Sequence, residues 1–126
     1  MRAIDTNVLV RLIVRDDSRQ TAAAETFIAP GAWISILALA ETSWVLASVY
    51  EFTPKNIAIA IEMLLDHQHL VVQDPDTVAA ALELYRSKPV LGFSDCLMLH
   101  LARRAGHLPL GTFDRHLSKS EGTERL

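Results

Sequence analysis

The chain has 126 residues, half of them apolar, a formal net charge of −3 and a single cysteine, Cys96. That length suits one domain, residues 1–126, with apolar content enough for a core without disulfide staples. The composition excludes an internal disulfide, an uninterrupted apolar run of spanning length and a strongly basic nucleic-acid footprint, so a reducing, cytoplasmic setting and no membrane partner are expected.

In chain order, Arg2-Ala3-Ile4 reads as a strand with Asp5 at its carboxyl end, and Thr6 to Val14 as the helix behind it. Arg15-Asp16-Asp17 breaks that helix, and Ser18 is expected to cap a second one through Ile28, before Pro30-Gly31. Ala32 to Ile36 is a short apolar run bounded by a turn, hence a second strand, followed by a helix over Leu37 to Val49. Thr53-Pro54 and Asp74-Pro75 both place a capping residue before a proline, and open helices to about Asp66 and Ser87 on either side of a strand at Leu70-Val71-Val72. Residues 88–92 read as a loop, and Ser94 or Asp95 caps a sixth helix that stops at Gly106. Leu108 to Thr112 is the fourth strand, Asp114 follows it, and the polar tail from Arg115 offers a short helix at most. Strands alternating with helices predict an α/β fold, a three-layer sandwich around a parallel sheet of four or five strands.

Four acids stand out by position. Asp5 ends the first strand and Asp114 lies just past the fourth; Glu41 interrupts the apolar run ILALAETSWVLA, and Asp95 sits between Phe93 and Cys96-Leu97-Met98-Leu99. Ligands in open α/β sheets bind outside the carboxyl ends of the strands. Crowded carboxylates repel one another, and a divalent cation relieves the repulsion; an all-oxygen set suits Mg²⁺ or Mn²⁺ better than zinc. Each acid also has a simpler reading. Asp5 and Asp95 are placed to cap helices, Asp114 to start the tail helix, and Glu41 to be a partly exposed charge.

Together the runs DTNVLVRL (Asp5 to Leu12), ALAETSWVL (Ala38 to Leu46), FSDCLMLHLA (Phe93 to Ala102) and GTFDRHLSK (Gly111 to Lys119) resemble the successive motifs of PIN-domain proteins. Nearly the whole chain takes part, and more narrowly it resembles the small VapC-type toxins of bacterial toxin–antitoxin pairs. The resemblance implies an endoribonuclease that cuts RNA phosphodiester bonds with one or two Mg²⁺ or Mn²⁺ ions. It makes Asp5, Glu41, Asp95 and Asp114 the metal-binding, catalytic acids, with Asn7 and Thr112 as polar supports. One ion held by Asp5, Asp95 and Asp114 would activate water for attack on phosphorus, and a second, through Glu41, would stabilise the leaving oxygen. The family also implies a homodimer neutralised by a small antitoxin protein. The chain departs from the family where little but polar sequence follows Ser118, which leaves a final strand absent or very short.

Two other functions fit parts of the pattern. A phosphatase with an aspartyl nucleophile would want a second acid two residues after Asp5, where this chain has Asn7. A catalytically silent RNA-binding PIN module would retain the acids as a relic. Of the remaining polar residues, His100, Arg103, Arg104 and His107 share a helix face that reads as solvated, with RNA phosphate contact as the alternative. Arg11 and Arg15, a turn apart, are placed to meet substrate or an antitoxin carboxylate. Cys96, Trp33 and Trp44 read as core packing. The helix after Thr53 is apolar over much of its circumference, for burial or for a partner.

Overall fold

The computed structural model describes all of residues 1–126, which fold as two compact units, Met1–Pro75 and Asp76–Leu126. The first unit runs β1 (Arg2–Ile4), α1 (Thr6–Val14), α2 (Ser18–Ile28), β2 (Ala32–Ile34), α3 (Ile36–Ser48), α4 (Pro54–Asp66) and β3 (Leu70–Val72). Its three strands pair in parallel in the order β1-β2-β3, with Ile4 opposite Ile34 and Ile34 opposite Val72. Parallel neighbours need a crossover, and the helices between the strands supply it. Ile4, Ile34 and Val72 are buried, as are Leu9 of α1, Leu39 and Leu46 of α3 and Leu64 of α4. α1 packs on α2 and α3, and α4 on α3 and β3.

The second unit holds α5 (Pro75–Ser87), a 3-10 turn at Pro89–Leu91, α6 (Phe93–Ala105), β4 (Leu110–Thr112), a 3-10 turn at Leu117–Lys119 and β5 (Thr123–Arg125). β4 and β5 form a parallel pair. Tyr85 of α5 meets Phe93 of α6 edge to face, with ring centroids 5.8 Å apart. The α/β class and the parallel strands are as the sequence predicts. The ladders, however, join three strands in one unit and two in the other, and a fifth strand does form, over three polar residues.

Several boundaries move for identifiable reasons. α2 is capped by Asp17, whose side chain accepts the Gln20 N–H, so Ser18 is its first helical residue rather than its cap. β2 stops at Ile34 because Ser35 caps α3 through the Ala38 N–H. Neither Ser94 nor Asp95 caps α6. The helix starts at Phe93, and Gly92 turns into it at φ +78°, a backbone conformation that glycine adopts without a steric penalty. β4 begins at Leu110 rather than Leu108, because Pro109 has no N–H to give a ladder. α6 ends at Ala105 with Gly106 left-handed at its cap, which leaves His107 off the helix face predicted for it.

The largest departure concerns α3. Leu37, Trp44 and Ala47 face solvent, against the core packing expected of Trp44, and the buried side is Ala38, Leu39, Thr42, Ser43 and Leu46. Trp44 is 66% exposed and so is not a core residue; Trp33 is half-buried. Glu41 is exposed as well, so no core charge needs neutralising there. On α4, Ile57, Ile61 and Leu64 are buried while Ile59 and Met63 are exposed, so most of its apolar surface belongs to the core. No helix is long and apolar enough to cross a membrane.

Candidate active site

Asp5 follows the last residue of β1 in extended conformation, and its Oδ1 accepts the Val8 N–H at 3.3 Å, which caps α1. The cap engages one of the two carboxylate oxygens and leaves the other free to bind elsewhere. The next residue, Thr6, donates its hydroxyl to Glu41 Oε2 at 2.7 Å. α1 and α3 pack side by side, so the first unit ties Glu41 to the residue beside Asp5 across 35 positions of sequence. Glu41 likewise retains its second oxygen. Asn7 is exposed and lines a hollow of about 340 Å³ along α1 and α2, with Val8, Arg11, Gln20 and Phe27 among its neighbours. Arg11 does not point to a free anion site: it donates to Asp16 and to the Tyr50 hydroxyl, while Arg15 pairs with Glu25.

The second unit supplies the other two acids. Asp95 lies in the first turn of α6, where the N–H groups at the helix start favour a negative charge. It is half-buried, and burial raises its carboxyl above the ordinary range, with the charge of Asp114 adding to the rise. Asp114 is exposed and moves the other way: the Leu117 N–H, donating to Oδ1 at 2.7 Å, holds it below the usual carboxylate range. Thr112 accepts the Asp114 N–H at 3.0 Å, which fixes the turn after β4. The two acids thus have unlike proton affinities, set by burial on one side and by backbone donors on the other. Burial, with Asp95 next to it, pushes the Cys96 thiol up to about 12, so Cys96 is packing rather than a nucleophile.

The structure therefore ties Glu41 to Thr6, the residue after Asp5, in the first unit, and in the second brings Asp114 near enough for its charge to act on Asp95. No group of three or more His, Cys, Asp or Glu side chains gathers as a metal cluster. The donor chemistry nonetheless suits a hard cation. The four acids offer only oxygens, and three of the four carboxylates accept a hydrogen bond through one oxygen each, two from nearby backbone and one from Thr6. Thr6 is the residue that sequence reasoning passed over. The sequence shows it only as the first residue of the helix after Asp5, and its bond to Glu41 depends on packing. Trp44, three residues after Glu41, and Phe113, next to Asp114 and 80% exposed, are aromatic neighbours of the acids that the sequence did not mark as surface.

The PIN domain family matches residues 3–122, and the chain belongs to that family. PIN domains are generally nucleases that act on nucleic acids with divalent metal ions. The match runs across both units. No curated protein and no solved structure matches the chain.

Proposed function

We propose that this chain is a metal-dependent endoribonuclease, the toxin of a type II toxin–antitoxin pair, and that Asp5, Glu41, Asp95 and Asp114 together hold one or two Mg²⁺ or Mn²⁺ ions in a single domain. The observation that carries the reading is the placement of the four acids in a PIN-family chain: Asp5 beside the Thr6–Glu41 bond, and Asp95 within reach of the charge of Asp114. A divalent ion there would supply a water acidified toward neutral pH and positive charge for the leaving oxygen. The protein's own part is orientation. Thr6 fixes Glu41, Thr112 fixes the turn bearing Asp114, and the start of α6 presents Asp95. Asn7, exposed beside Thr6, is a polar support.

The VapC-like wording of all four motifs supports the toxin role, and the lone buried cysteine suits a cytoplasmic setting. The exposed Leu37 and Trp44 of α3 and Val49 at its C-terminal cap support a homodimer, since apolar surface of this kind marks partner faces. A small antitoxin is the other protein partner.

The test is cleavage of structured and single-stranded RNA by the purified chain with Mn²⁺, with Mg²⁺ and with EDTA. Cleavage that needs the ion supports the reading, and equal cleavage in EDTA overturns it. A sharper expectation concerns Thr6. Thr6→Val keeps the side-chain shape and removes the donor to Glu41, so activity should fall roughly 10–100-fold, the range for partners that orient metal ligands. Thr6→Ser should restore most of it. Equal rates for the three proteins, measured at saturating and limiting Mn²⁺, would remove Thr6 from the machinery.

A further inference from the structure

A nuclease with net charge −3 must still hold a polyanion, so its cations not already engaged within the fold matter most. In the first unit acids outnumber cations, Arg11 and Arg15 are committed to Asp16 and Glu25, and Arg2 stacks over Phe27. From Asp76 onward, cations outnumber acids. There, a hollow of about 180 Å³ is lined by Asp76, Thr77 and Ala80 of α5 and by His100, Arg103 and Arg104 of α6. His100 is three residues before Arg103 and four before Arg104, so the three make a contiguous triangle on the helix surface. Arg103 is steadied by donating to the Glu121 carbonyl at 3.1 Å, and Arg104 has no carboxylate partner. Burial and then the charge of Arg103 lower the His100 proton affinity, as a positive local field requires.

The opposite wall has different chemistry. Asp76 is in the first turn of α5, and an ionised carboxylate can only accept hydrogen bonds. It is therefore no partner for a phosphate, but it is one for a hydroxyl. Thr77 beside it can donate or accept. A wall of cations facing an acceptor matches one repeating unit of RNA, whose phosphate is anionic and whose 2′-hydroxyl donates and is missing from DNA. The volume is about that of six waters at ~30 Å³ each. That is room for a sugar-phosphate unit, with the base left outside.

The geometry points to this hollow as a binding site for one ribose-phosphate unit of single-stranded RNA, the phosphate on Arg103 and Arg104 and the 2′-hydroxyl on Asp76 and Thr77. Arg103 lies ~12 Å along α6 from Asp95, and Arg104 lies on roughly the opposite side of the helix from it, so a strand that meets both the hollow and the proposed cut passes round α6. Because the base stays outside, the contact is indifferent to sequence and selects RNA over DNA. The assignment deepens the ribonuclease reading and rests on it only for the kind of ligand.

The experiment measures binding of labelled oligo(U), oligo(A) and oligo(dU) in EDTA by fluorescence anisotropy, across a salt series. Wild type should bind the two RNAs alike and more tightly than the DNA. Arg104→Gln should weaken RNA binding roughly tenfold and lower the slope of log affinity against log salt by about 0.7, the value for one lost single-strand phosphate contact. Asp76→Ala should bring RNA and DNA affinities close together. Lys55→Gln, the loss of an exposed charge on α4, should change affinity less than twofold. Thermal melts by circular dichroism confirm that each variant folds. Unchanged RNA affinity in Arg104→Gln overturns the assignment. So does an equal loss in Lys55→Gln, which would mean diffuse attraction, or a wild type that binds RNA and DNA alike. Cleavage in Mn²⁺ is scored separately. Intact, RNA-selective binding without cleavage would sink the nuclease reading and leave this site standing.

Discussion

Asp5→Asn is expected to abolish RNA cleavage while leaving the fold as stable as wild type. The two halves of that expectation have separate physical sources. The Asp5 Oδ1 that caps α1 by accepting the Val8 N–H has an equivalent in asparagine, which ranks with aspartate at helix N-caps. The melting temperature should therefore stay within a degree or two. The charge is what changes: a neutral amide is a far poorer ligand for Mg²⁺ or Mn²⁺ than a carboxylate. The loss should exceed the ~10–100-fold that changes behind the ligands cost. Asp5→Ala separates the roles from the other side. It should lose activity equally and also about 1 kcal/mol of stability, through the missing cap. Cleavage rates in Mn²⁺ and thermal melts of the three proteins measure both. An Asp5→Asn enzyme with wild-type rates would reduce Asp5 to a capping residue.

The surroundings of Asp5 are also where the sequence was most and least informative. Strand-to-acid junctions at Asp5 and Asp114 were legible, because short apolar runs and the turn residues after them are local signals. Thr53-Pro54 announced α4 for the same reason, and Thr53 does cap it. The face of α3 was not legible. Ile36, Leu37, Ala38, Leu39 and Ala40 place apolar side chains all round the helix, so periodicity could not say that Trp44 and Glu41 lie outward. The sequence leaves open whether the short fifth strand forms, because Thr-Glu-Arg carries no burial pattern. Its ladder with β4 is made by backbone groups, flanked by bonds from Leu110 N–H to the Gly122 carbonyl and from Leu126 N–H to the Thr112 carbonyl. Hydrogen bonds between main chains leave little mark on side-chain sequence. The Thr6–Glu41 bond links distant helices, and one chain without tertiary packing cannot show it. Similarly, the hollow on α5 and α6 turns a helix face that reads as merely solvated into a concave wall with Asp76 opposite.

Asp95→Asn should be inactive and, in EDTA at neutral pH, melt at a higher temperature than wild type. Burial and Asp114 both raise the Asp95 carboxyl, so the folded state binds that proton more tightly than the unfolded chain does. The sign follows directly. As pH rises from the unfolded value through the raised folded value, the unfolded state gains relative to the folded one, and the penalty then stays constant to neutral pH. Asparagine has no such ionisation and escapes it. A divalent cation reverses the balance, because it binds the ionised form: Mn²⁺ should raise the melting temperature of wild type and do much less for Asp95→Asn. The same linkage predicts the acid side of the activity profile. Protons compete with the ion, and on acidification Asp95 takes up its proton before Asp114, which the Leu117 N–H keeps ionised to lower pH. Wild-type cleavage at limiting Mn²⁺ should thus fall as pH drops through the raised Asp95 value, and higher Mn²⁺ should move that fall to lower pH. Melts of both proteins with and without the ion, together with rate–pH profiles at two Mn²⁺ concentrations, test the scheme. An Asp95→Asn protein less stable than wild type in EDTA would mean that the carboxylate stabilises the start of α6 more than its burial costs. An acid limb that ignores Mn²⁺ would show that its titration is not coupled to ion binding.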